Sequence, residues 1–250
     1  MSARSSRWLK LTVAYDGTRY AGWQIQPIEP TVQGALEDAW RQITGEAPSL
    51  TASGRTDAGV HALGQVVGLE TATDLSESKL QQGLNAVLPE DVVVTSVEPA
   101  PERFHATHDA LRKTYRYQIY NSRTPPLFDR PYVWHVRAGG LDAALMRDAA
   151  QRLVGRHDFV SFETTGSERS TTVRTITALS VTERGERIDL DVTGDGFLYN
   201  MVRAIAGTLV EVGRGARPVE WVSEVLAARD RSAAGPTAPA EGLVLMRVEY

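Results

Sequence analysis

Hydrophobic and polar positions change period several times along this chain, and each change marks an element. Lys10 to Tyr15 alternates, with Leu11, Val13 and Tyr15 on one face, which predicts a strand. Between Thr31 and Thr44 the period becomes helical: Val32, Leu36, Ala39, Trp40 and Ile43 fall on one side, and Gly45 closes the helix. Pro48 to Ser53 and Gly64 to Glu70 predict two short strands around a glycine-rich turn. Ser76 caps a helix running to about Val87, which Pro89 stops, and Val92 to Val97 is a further strand. Beyond these, Leu111 to Tyr120 reads as a long strand and Tyr132 to Val136 as a shorter one. Asp142 to Val154 has helical spacing on Leu145, Ala149 and Leu153. Thr172 to Thr182 and Arg187 to Thr193 form a hairpin around Gly185. Leu198 to Val212 and Pro218 to Ala228 are helices, and Leu243 to Val248 is a last strand.

Hairpins and segregated helices predict an α+β fold, a mostly antiparallel sheet with helices packed on it. The order of elements suggests two similar α+β halves, 1–103 and 104–250, without sequence identity between them. Arg231 to Glu241 is rich in Ala and Pro, and its composition is compatible with an ordered loop or a mobile flap.

With 250 residues, 42% of them hydrophobic, the chain can bury a full core. It has no cysteine, which excludes disulfides, thiolate metal sites and a cysteine nucleophile, and suits a cytoplasmic protein. Met1 to Arg7 is basic with no apolar stretch behind it, so no secretory signal is expected. The longest run free of Asp, Glu, Lys and Arg is Ala58 to Leu69, too short and polar to span a bilayer, so no membrane partner is expected. The net charge of −4 disfavours a nucleic-acid partner, but the distribution favours one. From residue 101 to 137, seven basic residues (Arg103, Arg112, Lys113, Arg116, Arg123, Arg130 and Arg137) face three acidic ones (Glu102, Asp109 and Asp129). A local basic stripe is what phosphates meet.

Three places carry candidate chemistry. The first is Gly54-Arg55-Thr56-Asp57-Ala58-Gly59-Val60-His61, a tight turn that presents one carboxylate between two strands. Arg55, two residues from Asp57, favours the ionised form and hence a nucleophile, although the same spacing suits an ordinary Asx turn with a surface arginine. The second is the strand Leu111 to Tyr120, which places Lys113, Tyr115, Tyr117 and Ile119 on one face and Arg112, Thr114, Arg116 and Gln118 on the other. Aromatic rings beside cations suit an unstacked base, and they equally suit a half-buried core. The third is Arg203, the only charged residue from Gly196 to Val210, on a helix with no polar side. Buried there it needs a carboxylate or phosphate partner; otherwise its stem reaches solvent. His105 and His108 lack a carboxylate pattern that would make a metal site, and no Walker, Rossmann or nucleophile-elbow motif is present.

The turn around Asp57 also resembles the catalytic motif of the TruA-type tRNA pseudouridine synthases. Tyr15-Asp16-Gly17 with Gly22-Trp23-Gln24, Lys113-Thr114-Tyr115-Arg116-Tyr117, Asn200-Met201-Val202-Arg203 with Gly207, and Pro236 to Leu243 resemble further motifs of that family, in its order. The resemblance implies the pseudouridine synthase fold and isomerisation of uridine at positions 38, 39 and 40 of the tRNA anticodon stem-loop. It implies that Asp57 attacks C1′ of the ribose or C6 of the base, that Arg203 pairs with Asp57, and that Tyr115 stacks on the target uracil. Arg55 would fill the space the flipped base leaves. It also implies a homodimer that needs no cofactor and no metal. Two other readings stay open: a non-catalytic RNA-binding protein, and a carboxylate-based glycoside hydrolase, for which Asp16 is the only second carboxylate to be named.

Overall fold

The computed structural model describes residues 6–137, 140–164 and 171–250. In chain order the described elements are β1 (Arg7–Tyr15), α1 (Val32–Thr44), β2 (Thr51–Ala52), β3 (His61–Thr71), α2 (Glu77–Val87), β4 (Val92–Pro99), β5 (Arg112–Asn121), β6 (Trp134–Val136), α3 (Ala143–Gln151), β7 (Gly155–Asp158), β8 (Val173–Arg184), β9 (Arg187–Gly194), α4 (Met201–Gly213), α5 (Trp221–Ala228) and β10 (Leu243–Glu249). The chain divides into two compact units: unit 1 is residues 1–111 with 245–250, and unit 2 is 112–244. Phe104 and Ala106, which the sequence places in the second half, are buried in unit 1 with Val66.

In unit 1 the sheet order is β4-β1-β3, with the last strand beside β3. β1 pairs antiparallel with β3 and with β4, and the short β2 pairs antiparallel with β3. The expected alternation is seen: Leu9, Leu11 and Val13 are fully buried, with half-exposed residues between them. Thr31 caps α1 through the Gly34 N–H, and Gly45 ends it at φ 76°, a left-handed turn glycine adopts without penalty. α1 packs on α2, and α2 packs on β4. Asn85 of α2 exchanges two hydrogen bonds with the Val94 backbone (2.9 and 2.8 Å), as a neighbouring strand would. The helix thereby covers an edge strand that would otherwise expose unpaired backbone.

In unit 2 the order is β5-β9-β8-β7, all antiparallel, with β6 parallel to β5. The hairpin turns at Gly185, φ 61°. α3 packs on α4 and β8, and α4 on β5. One expectation is corrected here. Ala149 and Leu153 are buried as expected, but Leu145 is exposed and Met146 turns inward instead, because it fits against Gly213, where a Cβ would stand 2.8 Å from its sulfur. The residues from 231 to 241 are packed rather than open. An ideal Cβ on Gly207 would lie 1.8 Å from the Pro236 carbonyl oxygen, so backbone rests directly on α4. The Gly235 N–H donates to Thr208 Oγ1 (3.0 Å) and the Ala238 N–H to the Arg203 carbonyl (3.1 Å). No helix among the described residues is long and apolar enough to cross a membrane.

Candidate active site

Asp57 sits in unit 1, in a turn closed by its own carbonyl, which accepts from the Val60 N–H (3.1 Å). Only Thr51–Ala52 of the expected preceding strand is regular. The loop from 16 to 24 braces the turn: the Trp23 N–H donates to the Thr56 carbonyl (3.0 Å) and the Gly59 N–H to the Tyr20 carbonyl (3.4 Å). Two glycines allow this approach. Cβ atoms on Gly17 and Gly22 would stand 2.1 Å from the Val60 oxygen and 2.6 Å from the Thr56 oxygen, and Gly22 has φ 96°. A buried polar network lies beneath. The Gln65 Nε2 donates to the Gly54 carbonyl (2.8 Å) and to the Tyr15 hydroxyl (3.4 Å), and Ser53 Oγ donates to Gln65 Oε1 (2.6 Å). The Tyr15 hydroxyl and Thr56 Oγ1 also share a hydrogen bond (2.7 Å). Burial pushes the Tyr15 phenol up to about 12, against the opposing pull of Thr56 and Gln65. The result is a half-buried carboxylate on a rigid turn, with Arg55 and Ala58 exposed beside it.

His61 is buried on the same loop system; its Nδ1 accepts the Gly17 N–H (3.0 Å) and lies 3.2 Å from Asp16 Oδ1. Asp16 Oδ1 also accepts from Thr18, so Asp16 caps a single 3-10 turn. His105 and His108 stack with ring centroids 4.0 Å apart, and His105 Nδ1 accepts the Thr107 and His108 N–H groups. No group of three or more His, Cys, Asp or Glu that would hold a metal occurs among the described residues.

Tyr115 and Arg203 belong to unit 2. Tyr115 lies opposite Val192 on β9, is 8% exposed, and meets Phe197 edge-on (5.1 Å, 83°). Tyr117 is wholly buried and donates to the Pro239 carbonyl (2.8 Å). Its phenol is raised well above the ordinary value, by burial first and then by the Glu241 carboxylate, with Arg203 pulling the other way. Arg203 Nε donates to the Ala238 carbonyl (2.7 Å), and a terminal nitrogen donates to Asn200 Oδ1 (2.7 Å). Asn200, at φ 61°, caps α4 in a left-handed conformation and also donates to Thr164 Oγ1. Arg203 therefore has uncharged partners nearby, which the charge-free stretch around it did not reveal. Arg116 is removed from the expected basic stripe: it binds Asp191 through two hydrogen bonds (2.8 and 2.9 Å) across β5 and β9. That pairing holds its guanidinium above its ordinary pKa.

Sequence reading gave no role to Thr56, Gln65, Phe197 and Asn200, although Thr56 and Asn200 stand in motifs it singled out. Gln65 lies in an unbroken buried run, Gly64 to Leu69, and was detectable as the one polar side chain in that apolar stretch. Asn200 was detectable as a residue type that tolerates left-handed backbone just before a helix.

The carboxylate turn, the aromatic strand and the arginine helix thus follow one another along an α+β framework. A family model described as tRNA pseudouridine synthase matches residues 11–109 and 149–250. The chain belongs to that family. It is 50% identical over 245 residues to tRNA pseudouridine synthase A of Moorella thermoacetica, covering 97% of this chain and 99% of the relative. It is 46% identical over 242 residues to tRNA pseudouridine synthase A of Syntrophotalea carbinolica, covering 97% and 96%. It is 43% identical over 244 residues to tRNA pseudouridine synthase A 2 of Clostridium perfringens, covering 98% and 100%.

Proposed function

We propose that this enzyme isomerises uridine to pseudouridine in tRNA, at positions 38, 39 and 40 of the anticodon stem-loop, with Asp57 as nucleophile. Family membership across nearly the whole chain carries the reaction; the braced turn around Asp57 supports its role. The N1–C1′ bond breaks, the uracil turns, a C5–C1′ bond forms, the C5 proton leaves and N1 takes one up. Product and substrate are isomers, so the chemistry consumes no oxidant or reductant.

In this reading Asp57 attacks the nucleoside, and Arg203, aimed by Ala238 and Asn200, pairs with it and keeps it ionised. Tyr115 packs on the base and Arg55 occupies the space the flipped base vacates, which offsets part of an unstacking cost of a few kcal/mol. The protein works as a homodimer in the cytoplasm. The RNA-binding and glycosidase alternatives predict no release of the C5 hydrogen. Incubation with unmodified tRNA carrying tritium at uridine C5 is expected to release tritium and to leave pseudouridine at the three positions. Release without those positions overturns the site assignment, and no release overturns the reaction. Arg203→Met is expected to leave a folded protein whose residual activity rises at higher pH than wild type. Without the cation the Asp57 carboxyl holds its proton more tightly. An unshifted profile overturns the pairing.

A further inference from the structure

Unit 2 contains a cavity of about 370 Å³ that the proposed chemistry does not use, lined by Pro125, Pro126, Arg130, Trp134, Arg137 and Glu241 among others. Its volume is in the range that small-molecule ligands fill. The polar groups on its wall are available. Arg130 commits Nε to the Pro126 carbonyl (3.1 Å), which fixes the stem and leaves the terminal nitrogens. Among the described residues Arg137, Glu241 and the Trp134 indole N–H make no hydrogen bond or ion pair. Two guanidinium groups and a carboxylate thus border one cavity without neutralising each other. Trp134 is half-buried and braced by Tyr117 (6.2 Å, 83°), and His135 is anchored by the Ser122 carbonyl (2.8 Å), so the wall is rigid.

These groups match the parts of one nucleotide. Guanidinium groups take a phosphate. A braced indole offers a stacking surface for a base. A carboxylate takes a base edge that donates two adjacent N–H groups. Guanine has such an edge in N1–H and its amino group, whereas uracil has a single N–H flanked by two carbonyl oxygens that a carboxylate repels. We infer that this cavity binds a guanine nucleotide of the bound RNA, separate from the uridine that reacts. This rests on tRNA being the substrate.

The test uses the full chain and reads the Trp134 indole N–H resonance, identified by its loss in Trp134→Phe. Guanosine 5′-monophosphate is expected to shift it saturably, and uridine 5′-monophosphate to bind about tenfold more weakly. Glu241→Gln is expected to abolish that preference while leaving the rest of the spectrum unchanged. Arg137→Glu is expected to weaken tRNA binding about tenfold at fixed salt, as loss of a phosphate contact and a charge reversal require. An unmoved resonance at millimolar guanosine monophosphate, the same shift from inorganic phosphate alone, or equal response to both nucleotides overturns the inference. Nucleotide binding with unchanged tRNA affinity in Arg137→Glu overturns its RNA-borne part. Whether wild type forms pseudouridine in tRNA is measured separately, so failure of the proposed function is not confused with failure of this site.

Discussion

The turn that carries Asp57 and the helix start that carries Arg203 are held in place by the same device with different ingredients. Each depends on glycine that lets a second backbone come within contact: Gly17 and Gly22 under the Asp57 turn, Gly207 under the segment that bonds Arg203. Beneath Asp57 the glycines are backed by a buried network of Tyr15, Thr56, Gln65 and Ser53. At Arg203 the supports include a backbone carbonyl and an asparagine. The first region is therefore over-determined. The second depends in part on a contact from 35 residues further along the chain. Removing one support should shift Asp57 little and Arg203 much.

The largest structural effect expected from breaking this contrast is at Gly207. Gly207→Ala puts a Cβ where the Pro236 oxygen stands, and backbone must move. Denaturant unfolding is expected to show a loss on the order of 3 kcal/mol. Turnover is expected to fall as well, because Arg203 loses the Ala238 carbonyl. Retained turnover with wild-type stability would show that the segment does not need to lie so close.

Tyr15→Phe sharpens the other side. At neutral pH the lost hydrogen bond with Thr56 is expected to cost about 1 kcal/mol, with turnover within a few-fold of wild type because Gln65 and the backbone still hold the turn. The pH dependence carries a sign. The Tyr15 phenol in the folded protein sits at about 12, above an unfolded value near 10. A raised value means its contribution is complete below pH 10 and is lost as pH rises towards 12. Wild type is expected to lose about 2–3 kcal/mol relative to Tyr15→Phe over that window. Parallel stability curves would show that the phenol is not buried.

The smallest change in stability is expected for Asn200→Gly. Glycine accepts the left-handed backbone at φ 61°, and the relieved strain offsets the lost side-chain bonds to within about 1 kcal/mol. Turnover is nevertheless expected to drop about tenfold, since Arg203 loses an orienting partner. A stable variant with full turnover would remove Asn200 from the account.

What the sequence made legible was set by local rules. β1 follows its alternation, α1 begins at Thr31 and ends at Gly45, and α2 begins after Ser76, because these signals reside in a few consecutive residues. β7 went unread because Gly155-Arg156-His157-Asp158 has neither alternation nor β-branched residues; it is a strand only through pairing with β8. In α3 the inward residue of the first turn was misread, because Leu145 and Met146 are both apolar and Gly213 on another helix makes room for Met146, whereas Ala149 and Leu153 are buried as their spacing predicts. The same limit applies to the charges. Arg116 looked available for phosphates because Asp191 lies on a partner strand far along the chain. Asp57 was legible as a candidate because glycines flank it in sequence, whereas the Tyr15–Gln65 network is assembled only by strand pairing.

Asp57→Asn tests most directly whether Asp57 is the nucleophile, as proposed for this tRNA pseudouridine synthase. The amide keeps the shape of the carboxylate and the backbone bonds of its turn, but it is a far weaker nucleophile. Base-resolved mapping of pseudouridine in tRNA, with tRNA affinity measured on the same preparation, is expected to show wild-type binding and no pseudouridine at positions 38, 39 and 40. Pseudouridine formed at even about a tenth of the wild-type rate, a gap of only about 1.4 kcal/mol in the barrier, would contradict it.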